Sequence, residues 1–162
     1  MDNKAIEFAQ YRLERAKETL KTAKVIFDIK DYKSANNRAY YAIFYAIRAV
    51  LAVERKDFKR HKDVISYFNQ NYINTEIFPK KLGHKISLAQ SIREDSDYDD
   101  EYIASKEKTQ TQLETAEELI KQVEQYIENL KNNISNWKFT FGSIKWLWRR
   151  RIRVFICKKR LK

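Results

Sequence analysis

At 162 residues, the chain is long enough for one domain with a real core and too short for two comfortable ones. Its formal charge of +11 points to nucleic acid, but residues 134–162 hold ten Lys or Arg and no acid, leaving 23 basic and 22 acidic groups in residues 1–133. Two glycines exclude a P-loop or a GxGxxG turn, a single cysteine excludes an internal disulfide framework, and no run of about 18 uncharged apolar residues is present to span a bilayer. With no charged-then-apolar leader at its start, the chain is expected in a reducing cytoplasm.

Ile6, Ala9, Leu13, Ala16, Leu20, Ala23 and Phe27 recur at spacings of three and four, which predicts a first helix over residues 4–29, about 40 Å long. After a turn at 31–33, Ser34 is the expected N-cap of a second helix running to about Arg55. Here Ala35, Ala39, Ala42, Ala46, Ala49 and Val53 share one narrow sector, and Tyr40, Ile43, Phe44, Ile47, Val50 and Leu51 widen the apolar arc beyond half the circumference. A surface helix needs a stripe of only about 100°, so this one should be central, with neighbours on most sides. Its one wet strip is Arg38, Tyr41, Tyr45, Arg48 and Ala52.

A charged link over 56–60 leads to a short helix with Val64, Ile65, Phe68 and Tyr72 inward, ended by the polar segment NQNYINTE. Pro79 fits the first turn of a fourth helix with Leu82, Ile86, Ala89 and Ile92 inward. The acidic stretch 93–101, REDSDYDDE, reads as a link. Leu113, Ala116, Ile120, Val123, Ile127 and Leu130 then place a long last helix reaching about Asn132, whose polar opening turns, 104–112, should project past the core. No segment alternates like a strand. The expected fold is all-α, an antiparallel bundle of about five helices over 1–133, followed by a separate tail, 134–162.

His61 and His84 have no neighbouring Cys and no helical partner at i+4, so no zinc ligand set is visible. Asp95, Asp97 and Asp99 open like an EF-hand loop, but Asp100 stands where glycine is required and Lys106 where the bidentate Glu belongs. Neither metal nor organic cofactor is expected. Arg93, Asp97 and Tyr98 admit a structural reading, in which the acids offset the positive end of the last helix with Arg93 as their partner, and a functional one. Arg38, Tyr41, Tyr45 and Arg48 suit a protein interface or an RNA contact.

RAYYAIFYAIRAVL from residue 38, His61-Lys-Asp-Val-Ile, and Arg93-Glu-Asp-Ser-Asp-Tyr-Asp before a long last helix, in that order, resemble the prokaryotic HEPN domain, in particular its UPF0332-type branch, over about residues 4–132. The resemblance implies an antiparallel bundle that forms a homodimer and is often encoded beside a minimal nucleotidyltransferase. Many members are metal-independent ribonucleases acting as toxins or in phage defence. Their site is an Arg followed, four to six residues later, by a His where the last long helix begins, completed across a dimer. Arg93 carries over as the phosphate-contacting cation, with Asp97 and Tyr98 as the other candidates, Tyr98 standing in place of the His. A phenol with a pKa near 10 is a poor proton shuttle at neutral pH. A literal Arg-x5-His, Arg55 to His61, joins the second and third helices instead, and His61 reads first as a residue of a helix's opening turn. The implied function is RNA-directed, a ribonuclease with a degenerate site or an RNA-binding relative. The competing class is a non-enzymatic dimeric module that binds a nucleotidyltransferase or another protein.

In the tail, Trp137, Phe139, Phe141, Trp146, Trp148 and Phe155 alternate with the ten cations. Such a mixture can stack on bases and neutralise phosphates, or lie in an anionic membrane interface. The abrupt change in composition is also what a shifted reading frame produces.

Overall fold

The computed structural model describes residues 3–98 and 103–140, with side chains for 3–95 and 103–133. Five helices follow in order: α1, Asn3–Asp28; α2, Tyr32–Val53; α3, His61–Phe68; α4, Lys80–Tyr98; and α5, Lys106–Thr140. Helix dominates, and no strand occurs among the described residues. Met1–Glu128 forms one compact unit and the chain from Asn129 onward belongs to a second; the following description concerns the first.

As its apolar circumference predicts, α2 is the core helix. Ala35, Ala39, Ala42, Ile43, Ala46, Ile47, Ala49 and Val50 have no exposed surface at all, and Ala52, expected on the wet strip, is buried too. Fully buried alanines on α1 (Ala9, Ala16 and Ala23) let the two helices of this hairpin approach closely. The expected cap is corrected by one turn: Asp31, not Ser34, is the N-cap, and its carboxylate accepts from the Ser34 amide at 3.1 Å. Asp satisfies the same orphan donors as Ser, so composition alone did not choose between them.

Both long-helix stops are Schellman motifs built without glycine. Asp31 N–H donates to Ile26 and Lys30 N–H to Phe27, with Lys30 at φ 67°. Lys56 N–H donates to Leu51 and Arg55 N–H to Ala52, with Arg55 at φ 56°. Helix α2 therefore ends at Val53, two residues short of the expected position.

The NQNYINTE segment extends α3 rather than ending it: Asn69–Ile73 is a π-helical turn that buries Tyr72 and Ile73. Tyr72 packs with Phe68, Phe78 and Tyr126 in a ring cluster. Pro79 lies just before α4, where its carbonyl accepts from Leu82 N–H at 2.9 Å. Gly83 is required by close approach, because a Cβ there would sit 2.8 Å from Ile73 Cγ2.

Two expectations about charged and polar stretches are overturned. Residues 93–98 are not a link but the last turns of α4, so the acids there lie at a helix C-terminal end, where the dipole does not favour them. The polar start of α5 does not project: Thr109, Gln112 and Thr115 are buried. Thr109 Oγ1 donates to Ser105 O at 2.8 Å and Gln112 Nε2 to Ala89 O at 3.2 Å, while Gln112 Oε1 is buried without a partner among the described residues. Further along, α5 runs antiparallel to α1, with ion pairs Lys17–Glu124 at 2.6 Å and Lys24–Glu117 at 2.9 Å, and Lys85–Glu118 at 2.6 Å ties it to α4. Helix α5 continues to Thr140, beyond the expected end near Asn132.

Candidate functional site

The wet strip of α2 is one wall of the site. Arg38 is exposed, while Tyr41, Tyr45 and Arg48 are half-buried. Tyr41 and Tyr45 have ring centroids 6.3 Å apart, and the Arg15 guanidinium of α1 covers the Tyr45 ring at 5.0 Å.

His61, the first residue of α3, closes over this wall. Its imidazole stacks on Phe44 with centroids 3.9 Å apart and meets Tyr41 edge-on at 5.8 Å. Its Nδ1 lies 3.3 Å from the Tyr40 hydroxyl. From α4, the Arg93 guanidinium reaches the same residue, 5.9 Å from the Tyr40 ring centroid. Tyr40 is thus shared by the arginine and the histidine, which come from two motifs 32 positions apart in the chain.

Burial, then the positive charges of Arg93 and Arg48, holds the His61 pKa below its ordinary value, so the ring is neutral at physiological pH. Burial pushes the Tyr40 phenol up to about 12, against the opposing pull of Arg93, so it keeps its proton. A neutral imidazole beside two cations can accept a proton while the cations hold an anion nearby.

Arg48 is itself held. Its Nη2 donates to both oxygens of Asp57, at 2.9 and 2.7 Å, and Arg12 Nη2 of α1 donates to the same carboxylate at 2.9 Å. Burial raises the Asp57 pKa, but hydrogen bonds from Arg48 and Arg12 outweigh it and hold the carboxyl below the usual range. Arg12 also donates to the Arg48 carbonyl at 3.2 Å and lies over the Phe8 ring at 4.4 Å.

Of the residues expected to act, the structure gathers Tyr41, Tyr45, Arg48, His61 and Arg93 into one region. Asp97 and Tyr98 fall in the final turn of α4, and their side chains lie outside the described residues. Sequence reading missed Arg12, Tyr40 and Asp57. The signal for Arg12 was available, a cation one residue from Leu13 inside the apolar seam, and it is 9% exposed. Tyr40 is core by periodicity and by burial, but its hydroxyl meets His61. Among the described residues no group of three His, Cys, Asp or Glu could hold a metal ion, and no helix is long and apolar enough to cross a membrane.

The HEPN domain family model matches residues 9–129. This chain belongs to the HEPN domain family, in its UPF0332-like branch. The HEPN bundle is 30% identical over 129 residues to a UPF0332 protein of Thermotoga maritima, covering 80% of this chain and 98% of that one. It is 32% identical over 125 residues to a Methanocaldococcus jannaschii protein named "Putative toxin", covering 77% and 87%. A UPF0332 protein of Archaeoglobus fulgidus is 28% identical over 132 residues, covering 78% and 94%. The family match ends before residue 134, so the basic aromatic tail lies outside it. In this HEPN bundle the histidine that shares Tyr40 with Arg93 comes from α3.

Proposed function

We propose that this HEPN protein is a toxin-type, RNA-directed protein that cleaves RNA without a metal, with His61 as general base and Arg93 facing the scissile phosphate. The observation that carries this is that His61 and Arg93 both reach Tyr40, one at its hydroxyl and the other at its ring. The relatives named as toxins support the same biological class.

In this reading His61 Nδ1–H donates to the Tyr40 hydroxyl oxygen, leaving Nε2 to take the proton of a ribose 2′-hydroxyl. The 2′ oxygen attacks the adjacent phosphorus, the bond to the 5′ oxygen breaks, and that oxygen takes a proton from solvent. The products are a 2′,3′-cyclic phosphate and a 5′-hydroxyl. The Arg93 guanidinium stabilises the charge that builds on the phosphoryl oxygens. The working form in this reading is a homodimer, with a minimal nucleotidyltransferase as protein partner.

Incubation of the full-length protein with RNA in EDTA tests the reading. Cleavage is expected, with His61→Gln slower by about 10²–10⁴-fold, the range of a lost general base, and Arg93→Ala similarly impaired. RNA left intact by the wild type overturns it. The second reading, a non-enzymatic interaction module, has its own support: Phe8 and Tyr11 on α1 are 48% and 58% exposed and stack with rings 7° from parallel. Intact RNA together with a nucleotidyltransferase complex lost in Phe8→Ser would favour that reading.

A further inference from the structure

We propose that Arg12 and Arg48 form a second phosphate-binding site, next to His61, whose anion in the RNA-free protein is the carboxylate of Asp57. The proposal deepens the RNA-directed reading and rests on it; its ligand is a phosphodiester of the RNA strand.

Arg48 engages Asp57 end-on. Both contacts run through Nη2, at 2.9 and 2.7 Å, while its Nε is buried and has no hydrogen-bond partner among the described residues. A carboxylate on this link therefore leaves the fork half used. A phosphate, with more oxygens in a tetrahedral arrangement, can take the same donors of both arginines and still have oxygens to spare.

Both forks are held by contacts that do not involve Asp57. Arg12 is 9% exposed, lies 4.4 Å from the Phe8 ring centroid and donates Nη1 to the Arg48 carbonyl. Arg48 lies 5.8 Å from the Phe44 centroid. Asp57, by contrast, stands on the link between α2 and α3 with half its side chain in solvent. The anion is therefore on the segment that can yield and the cations are on helices.

The charges also favour a second anion. Two cations, Arg12 and Arg48, share one carboxylate, Asp57. Arg93 and Arg48 both disfavour a proton on His61. Phe44 carries His61 on its face and Arg48 beside it, which puts this phosphate site adjacent to the base. A strand bound at both places is fixed in register for cleavage.

The test uses the full-length protein in EDTA at about 0.2 M KCl, to screen the tail. The probe is a fluorescent 2′-O-methyl oligoribonucleotide, which lacks the attacking hydroxyl. Asp57→Asn, which keeps an acceptor for the Phe58 amide now bonded to Asp57 at 3.0 Å, is expected to bind about 3–10-fold more tightly. Arg48→Gln should bind several-fold more weakly and lower the slope of log Kd against log salt by about 1, for one lost phosphate contact. The double variant should lose the Asp57→Asn gain. Unchanged or weaker binding by folded Asp57→Asn overturns the proposal, as does wild-type affinity and slope in Arg48→Gln, which decides alone if Asp57→Asn does not fold. Inorganic phosphate displacing the probe from the wild type at micromolar concentration would assign the site to free phosphate and overturn the assignment to RNA. Tighter probe binding by Asp57→Asn with RNA uncleaved by the wild type would remove the nuclease reading and leave this site standing; the reverse pattern would do the opposite.

Discussion

His61 rests on Phe44 with ring centroids 3.9 Å apart, and Phe44 is 96% buried within α2. The position of the imidazole is therefore fixed by the core helix rather than by its own short helix. Phe44→Leu keeps an apolar side chain in the core and removes the flat support. We expect a loss of roughly 1–2 kcal/mol, between methylene-scale and Phe→Ala costs, and a His61 pKa moving up toward its ordinary value as burial is relieved. Denaturant melts and NMR titration of the imidazole read the two effects separately.

The depressed His61 pKa also predicts a pH dependence with a definite direction. The fold disfavours the imidazolium, so the unfolded chain binds the proton first, near pH 6.5. The contribution to stability is complete above that pH and declines as pH falls toward the folded pKa. The wild-type stability relative to His61→Gln should be constant above pH 7 and shrink as the pH falls below 6.5. Arg93→Ala should raise the His61 pKa, since Arg93 is the larger of the two charges lowering it. A difference flat with pH, or a His61 pKa unmoved in Arg93→Ala, would contradict the arrangement.

Lys30 takes the left-handed position of the α1 stop, φ 67°, where an L side chain is strained. Lys30→Gly should stabilise the protein by about 0.5–1 kcal/mol, the relief of strain exceeding the entropy glycine adds to the unfolded chain. The urea midpoint should rise with an unchanged m-value.

The opposite outcome is expected at Gly83. Glycine is a poor helix former, so Gly83→Ala would gain about 1 kcal/mol on an open surface. Here the new Cβ meets the branched Ile73 side chain at 2.8 Å, next to the π-helical turn. Overpacking of this kind costs about 1–3 kcal/mol, and a net loss should appear in the thermal melt. Stabilisation would show that the π-helical turn yields freely.

For the tail, the expected helix end near Asn132 would have put a truncation at 133, which the structure shows to lie inside α5. Cutting after Thr140 removes nine of the tail's ten cations. Non-specific affinity for RNA should fall steeply with salt in the full-length chain and much less in the truncated one. The melting temperature should be nearly the same in both. Equal, salt-resistant binding by both would place the affinity in the bundle.

The sequence alone determined the helical class, the central place of α2 and the family. All three rest on periodicity and on motifs contiguous in the chain: an apolar arc around α2 has to be covered, and spacing of three and four has to fold as helix. It also picked out Arg93, Tyr41, Tyr45 and Arg48, and placed His61 at the start of α3. Only the tertiary structure decided which of these groups meet. Arg93 and His61 come together because α4 and the start of α3 both reach the same Tyr40, a relation that no one-dimensional spacing encodes. The tertiary structure also decided that residues 93–98 continue α4, and that the polar start of α5 is buried, since a Thr or Gln can enter a core once a backbone carbonyl is there to receive it. It decided, too, that one exposed acid, Asp57, holds Arg12 and Arg48, because only the close packing of the α1–α2 hairpin brings those two arginines within reach of one carboxylate.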